Sequence, residues 1–223
     1  MLTWLSPEDP PDYFPPYSAT LSEPAGLLAA GGDLRPERLL AAYRRGIFPW
    51  YSAGQPVLWW SPDPREVLFP QEFRRSRSLQ RRLDRGQFEF TWDRDFAAVI
   101  DACAAPRASG AGTWITPEMR AAYLELHRRG VAHSLEARRS GALVGGLYGL
   151  RLGGVFCGES MFSREADASK ATLATLAAWC PGNGVTLIDC QMPSAHLRSL
   201  GSRPIPRARF LEELAAGFIA LET

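Results

Sequence analysis

Glu159 in "FCGESMF" and Asp189 and Gln191 in "LIDCQ" each follow an apolar run of strand-like composition. A carboxylate at such a place costs free energy unless it is paired or put to use. Side chains alternate faces along a strand, so Asp189 and Gln191 are expected on one face, hydrogen-bonded side by side, with Cys190 on the other. Between them and Glu159 lies "DASKATLATLAAW", which reads as a helix. If that helix is a crossover, both strand ends fall at one edge of a sheet, where open sheets place ligand crevices. Two readings fit the residues. Either Asp189 caps the following turn and Glu159 pairs with an arginine, or the three polar groups converge as a site; their convergence beside a helix start favours the site.

The surrounding pattern supplies elements to hold them. "VAHSLEA", "ALVGGLYGL" and "GVFCGES" are joined by short glycine- or serine-bearing turns, as in an antiparallel meander. "WITPEMRAAYLELHRRG" predicts a helix with Thr116 as N-cap and Pro117 at its first position. "FAAVIDACA" and "PRARFLEELAAGFIAL" read as further helices. These predict an α+β fold with a mixed sheet. The first 65 residues differ in kind. "RPERLLAAYRRG" has helix grammar, but "EPAGLLAAGGDL" reads as turns, and the prolines of "IFPWYSAGQPVLWWSPDPR" read as an aromatic-lined loop system. A small N-terminal domain over 1–64 and a larger one over 65–223 are expected.

At 223 residues, 46% hydrophobic and 22% charged, the composition is that of an ordinary globular chain. No run approaches the roughly 20 apolar residues of a membrane span, and the start lacks the basic and apolar regions of a signal peptide, so a cytoplasmic location is expected. Cys103, Cys157, Cys180 and Cys190 show no paired spacing and read as reduced, buried thiols. His127, His133 and His196 match no zinc pattern, so no metal is expected; His133 reads as a hydrogen-bonded strand residue. Net charge is only +1, yet six arginines crowd into Arg74 to Arg85. Arg77, Arg81 and Arg85 recur on one helical face, while Leu79 and Leu83 turn to another that can dock on the body. Such a face is either solvated surface or a phosphate-binding one. Trp50, Tyr51, Trp59 and Trp60 are of the type that stacks on bases, although at least two of them are expected in the core.

The strand order and the "GES…ASK" passage are similar to the GNAT superfamily of acetyltransferases. There a glycine-bearing loop holds the pyrophosphate of acetyl-CoA; here it reads "SREADAS", without the glycine that lets backbone amides crowd a phosphate. No nucleotide cofactor is expected. From about Glu23 to Phe210, "GLLAAGGDLRPERLLAAYRRGIFPWY", "LWWSPDPREVL", "GTWIT", "AHSLE", "LVGGLYG", "FCGESMFSREADASK" and "IDCQ…SLG" together resemble the bacterial leucyl/phenylalanyl-tRNA–protein transferases.

That resemblance implies a small N-terminal α+β domain packed on a GNAT-like C-terminal domain. It implies transfer of Leu or Phe, with Met as a further donor, from aminoacyl-tRNA to the α-amine of proteins beginning with Arg or Lys, marking them for N-end-rule degradation. The partners would be Leu-tRNA, Phe-tRNA and the acceptor protein, with no cofactor and no membrane. By the same resemblance Asp189 and Gln191 form the central pair, Asp189 orienting Gln191, with Glu159 as polar partner. Tyr43, Trp50, Trp114 and Ser160 hold the terminal adenosine and its ester. Phe156, Met161, Leu173 and Ile188 line the side-chain pocket, and Arg77, Arg81 and Arg85 meet acceptor-stem phosphates. The chain departs from the pattern at Arg138, where relatives often carry tryptophan, at the longer "PRASGAG", and at Asp84, which interrupts the arginine face.

Overall fold

The computed structural model describes residues 1–106 and 113–219, with side chains of the last helix up to Ala216; most of "PRASGAG" lies outside the described residues. Two sheets organise the chain. The smaller has the order β1-β2-β4-β3, from β1 (Thr3–Leu5), β2 (Leu27–Gly31), β3 (Phe48–Pro49) and β4 (Leu58–Trp60). The larger has the order β11-β5-β10-β9-β8-β7-β6. Its strands are β5 (Arg65–Leu68), β6 (Glu89–Trp92), β7 (Ala132–Arg139), β8 (Ala142–Leu152), β9 (Val155–Ser163), β10 (Leu187–Gln191) and β11 (Arg203–Ile205).

The meander is present, with β7, β8 and β9 antiparallel in turn. Helix α5 (Ala168–Trp179) is a crossover, so β10 runs parallel to β9 in an otherwise antiparallel, hence mixed, sheet. The α+β expectation holds. Two local expectations do not. The "LLAAG" segment is strand β2 rather than turns, paired with β1 on one side and β4 on the other; its small alanines allow that close packing. The aromatic loops contain strands β3 and β4, with Pro56 and Pro62 left outside the paired residues, where a missing N–H costs no ladder bond.

Helices cover both faces of the large sheet. On one lie α3 (Phe96–Ala104), α4 (Pro117–Arg128) and α7 (Arg207–Ile219), with α1 (Pro36–Arg44) of the smaller layer against α4. Tyr123, Tyr148, Cys157, Leu187 and Phe210 share the core there with Leu39, Phe48 and Trp59, so one apolar core runs from the small layer into the large one. On the other face α5 packs Leu173 and Leu176 onto Phe156, Ile188 and Leu68. Helix α2 (Arg77–Asp84) rests on α5 by its buried Leu79 and partly buried Leu83, and turns Arg77, Arg81 and Arg85 to solvent. Thr116 caps α4 by accepting the Met119 N–H at 3.2 Å. Trp59, Trp60 and Tyr51 are buried and Trp50 is exposed. None of the four cysteines is in a disulfide, and His133 bonds Asp93 at 2.8 Å.

Candidate active site

Pairing of β10 with β9 runs from Leu187↔Val155 to Asp189↔Cys157 and stops there. Past that point the cleft opens, about 730 Å³ in volume, between the end of β9, the end of β10, the head of α5 and the short helix α6 (Ala195–Ser199). Each strand is irregular where it meets the cleft. On β9 the register with β8 shifts between Gly149↔Gly158 and Tyr148↔Ser160, which leaves Glu159 as an unpaired bulge residue. Gly149 is required opposite it, because a Cβ there would stand 2.2 Å from the Cys157 carbonyl oxygen. On β10 the register with β5 shifts between Asp189 and Gln191, and Gln191 has φ 62°, the left-handed region. That conformation costs a non-glycine residue on the order of 1 kcal/mol and has to be held.

Asp189 holds it. Its Oδ1 accepts the Gln191 backbone N–H at 2.9 Å, a side chain bonding its own backbone two residues on. The expected side-by-side contact of Asp189 and Gln191 side chains is therefore replaced: the bulge turns the Gln191 amide away, and its Nε2 donates to Glu159 Oε1 at 2.8 Å. Asp189 instead receives Arg65, whose Nε and Nη2 donate to Oδ1 and Oδ2 at 2.8 and 2.7 Å. Both charges are almost wholly buried, Asp189 at 0% and Arg65 at 1% exposure. Burial works against the Arg65 charge, but the Asp189 carboxylate outweighs it and raises the guanidinium above its usual range.

Glu159 has no arginine. Tyr123 on α4 donates to its Oε2 at 2.8 Å, and the Tyr43 and Tyr123 hydroxyls share a short hydrogen bond behind it. Burial pushes the Glu159 carboxyl up to about 7; the bonds from Tyr123, Tyr43 and Gln191 pull it back, and the charge of Asp189 adds to the rise. Burial likewise raises Tyr43 and Tyr123 well above the ordinary phenol range, with the Glu159 charge adding to it. The result is a hydrogen-bonded run, Tyr43–Tyr123–Glu159–Gln191, in which Glu159 accepts from Tyr123 and Gln191 and which ends at the cleft.

Of the residues singled out in the sequence, Trp114, Phe156, Glu159, Ser160, Met161, Leu173, Ile188, Asp189 and Gln191 all line this cleft. Phe156, Leu173 and Ile188 belong to one apolar cluster and Met161 packs on it. Tyr43 is not in the lining; it stands behind Glu159, bonded to Tyr123. Trp50 is also outside it, 41% exposed and tilted against Trp60 at 5.5 Å. Arg81 and Arg85, with Ser78, Arg82 and Gln87, line a separate recess of about 240 Å³, while Arg77 lies outside it on the same face. Arg82 also pairs with Asp167 at the head of α5, at 3.2 Å.

Sequence reasoning missed Arg65 and Tyr123. Arg65 stands in "SPDPREVL", where an arginine before a short apolar run gives no sign that it is buried. Tyr123 shares a helical stripe with Met119 and Leu126, and such a stripe looks like any core face. Among the described residues no group of three or more His, Cys, Asp or Glu could hold a metal ion, and no helix is long and apolar enough to cross a membrane.

Comparison with known proteins finds relatives along nearly the whole chain. Residues 67–215 match the leucyl/phenylalanyl-tRNA protein transferase family, and 32–63 match the N-terminal domain of that family. Leucyl/phenylalanyl-tRNA–protein transferase of Pseudomonas entomophila is 60% identical over 215 residues, 96% of this chain and 94% of the relative. That of Azotobacter vinelandii is 61% identical over 201 residues, 90% and 89% of the two chains. Among solved structures, a ribosomal-protein-alanine N-acetyltransferase from Brucella melitensis biovar Abortus has a TM-score of 0.37 at 21% identity, covering 48% of this chain and 81% of its own. A GCN5-related N-acetyltransferase from Kribbella flavida has a TM-score of 0.36 at 14% identity, covering 74% and 59%. The chain belongs to the leucyl/phenylalanyl-tRNA protein transferase family.

Proposed function

We propose that this aminoacyltransferase moves leucine or phenylalanine, and methionine as a further donor, from aminoacyl-tRNA to the α-amine of proteins that begin with Arg or Lys, and so marks them in the cytoplasm for N-end-rule degradation. The division into 1–64 and 65–223 would then separate a layer carrying the exposed Trp50 from the layer carrying the chemistry. The observation that carries the reading is the Glu159–Gln191 pair, each residue 9% exposed, at the head of a cleft lined by Phe156, Leu173 and Ile188. A leucyl or phenylalanyl side chain fits among these apolar groups, and the flexible Met161 suits two different shapes. Trp114 and Ser160, which also line the cleft, would take the terminal adenosine and its ester.

The amine lone pair attacks the ester carbonyl carbon. The new C–N bond forms as the C–O bond to the ribose breaks, and the ribose oxygen leaves with a proton equivalent to the one the amine gives up. Gln191 donates its Nε2 to Glu159, and its Oε1 has no donor among the described residues, so it is available to accept from the incoming amine. A Glu159 carboxyl near 7 is close to the amine, at about 7.7–8.0, so a proton passes between them with little change in free energy. Freeing the amine in the ground state is worth only about 1 kcal/mol at neutral pH. Alignment of amine and ester can contribute about 7–11 kcal/mol in the best cases, so positioning dominates. Arg77, Arg81 and Arg85 would meet acceptor-stem phosphates without reading sequence.

The test is to incubate the purified protein with radiolabelled Leu-tRNA and two peptides that differ only in beginning with Arg or Ala. Label on the Arg peptide alone is expected. Label on both would remove the acceptor assignment, and label on neither would remove the reaction.

A further inference from the structure

The Arg65 guanidinium does not touch the cleft, yet it is buried, bonded through three nitrogens and packed between two rings. It lies on the face of the large sheet opposite Phe156 and Ile188. Two of its nitrogens grip both oxygens of Asp189, and Nη1 donates to the Gly46 carbonyl at 3.1 Å. The rings of Phe48 and Phe210 each stand 4.7 Å from its central carbon. One side chain thus joins the smaller layer, the last helix and the end of β10. A two-point grip fixes the plane of a carboxylate as well as its place. Here that plane aims Oδ1 at the Gln191 N–H and so maintains the left-handed turn that points the Gln191 amide at Glu159.

From this geometry we infer that Arg65 is a positioning residue for the transfer reaction, acting through Asp189 on the backbone of Gln191; the inference rests on the function proposed above. Loss of the fork leaves the apolar pocket intact on the other face, so donor binding is retained. What is lost is the aim of Gln191 and Glu159 at the reacting amine, and misplacement of that kind costs up to about a hundredfold in rate.

The experiment pairs Arg65→Lys, which keeps the charge and removes the fork, with the neutral double variant Arg65→Gln/Asp189→Asn. Transfer of Leu from Leu-tRNA to an Arg-initiated peptide is measured for each folded variant. The expected result is kcat lowered at least about tenfold with KM for Leu-tRNA within about twofold. Combined with Gln191→Ala, the Arg65→Lys change should add almost nothing, because both act on the same group. A folded variant with native kcat, or losses that multiply in the Gln191→Ala background, would overturn the inference and leave Arg65 a stabilising residue. Amide hydrogen exchange in the free protein reads the same point without the reaction. Gln191 N–H should lose protection in Arg65→Lys while Leu187 and Ile188 keep theirs, and unchanged protection overturns the inference even if the native chain transfers nothing.

Discussion

The ends of β9 and β10 carry one carboxylate each, both lining the same cleft, and treat them in opposite ways. Asp189 on β10 is locked by a cation, with both oxygens taken by Arg65 and one also by a backbone N–H. Glu159 on β9 is also buried but meets neutral donors, Tyr123 and Gln191. A buried acid gripped at both oxygens by a guanidinium is fixed in place and holds its surroundings still. A buried acid with only hydroxyl and amide partners is left near 7, able to take and return a proton. The difference separates a group that sets geometry from one that can take part in chemistry.

The largest effect is expected from Asp189→Ala, which strands the Arg65 charge in the core. Breaking a buried pair on one side costs about 3–5 kcal/mol, read as a lower midpoint in urea, and transfer should be lost with it. An Asp189→Ala protein no less active than Glu159→Ala would erase the distinction. Glu159→Gln comes next, with transfer slower by about a hundredfold and the rise of kcat through pH 7 abolished. The sign for stability also follows. The Glu159 carboxyl is raised from 4.5 to about 7, so its protonated form favours the fold below the lower value and that contribution is lost as pH rises through the upper one. Glu159→Gln should therefore gain thermal stability relative to the native chain between pH 5 and pH 8; a constant difference in Tm would mean that Glu159 keeps an ordinary carboxylate pKa.

Tyr123→Phe sharpens the contrast further. It removes a donor that lowers the Glu159 pKa, so the kcat–pH curve should move to higher pH, with a rate loss of only a few-fold at pH 8. The smallest change is expected where charge is exposed. Arg81→Ala on α2 should weaken tRNA binding modestly for all donors and reduce the salt slope of log Kd by about 1, leaving the pH profile alone.

Residues close in sequence announced much of this site. The meander, the crossover through α5 and the Thr116 cap follow from apolar period, turn residues and capping chemistry, all of which act over a few residues. Phe156, Leu173 and Ile188 were legible as a pocket on the residues that carry the family resemblance. Strands β2, β3 and β4 were not, because strands of two to five residues are too short to show a period and exist only through their partners.

The sequence alone therefore determined the α+β plan, the family and the three polar groups at the strand ends. Tertiary structure decided what each of those groups is. Arg65 reaches Asp189 across 124 positions, and Tyr123 reaches Glu159 across 36. The bulges that turn Glu159 and Gln191 toward each other depend on register with β8 and β5. Whether a carboxylate is paired or left near neutral is set by what surrounds it in space, and no local pattern of residues encodes that.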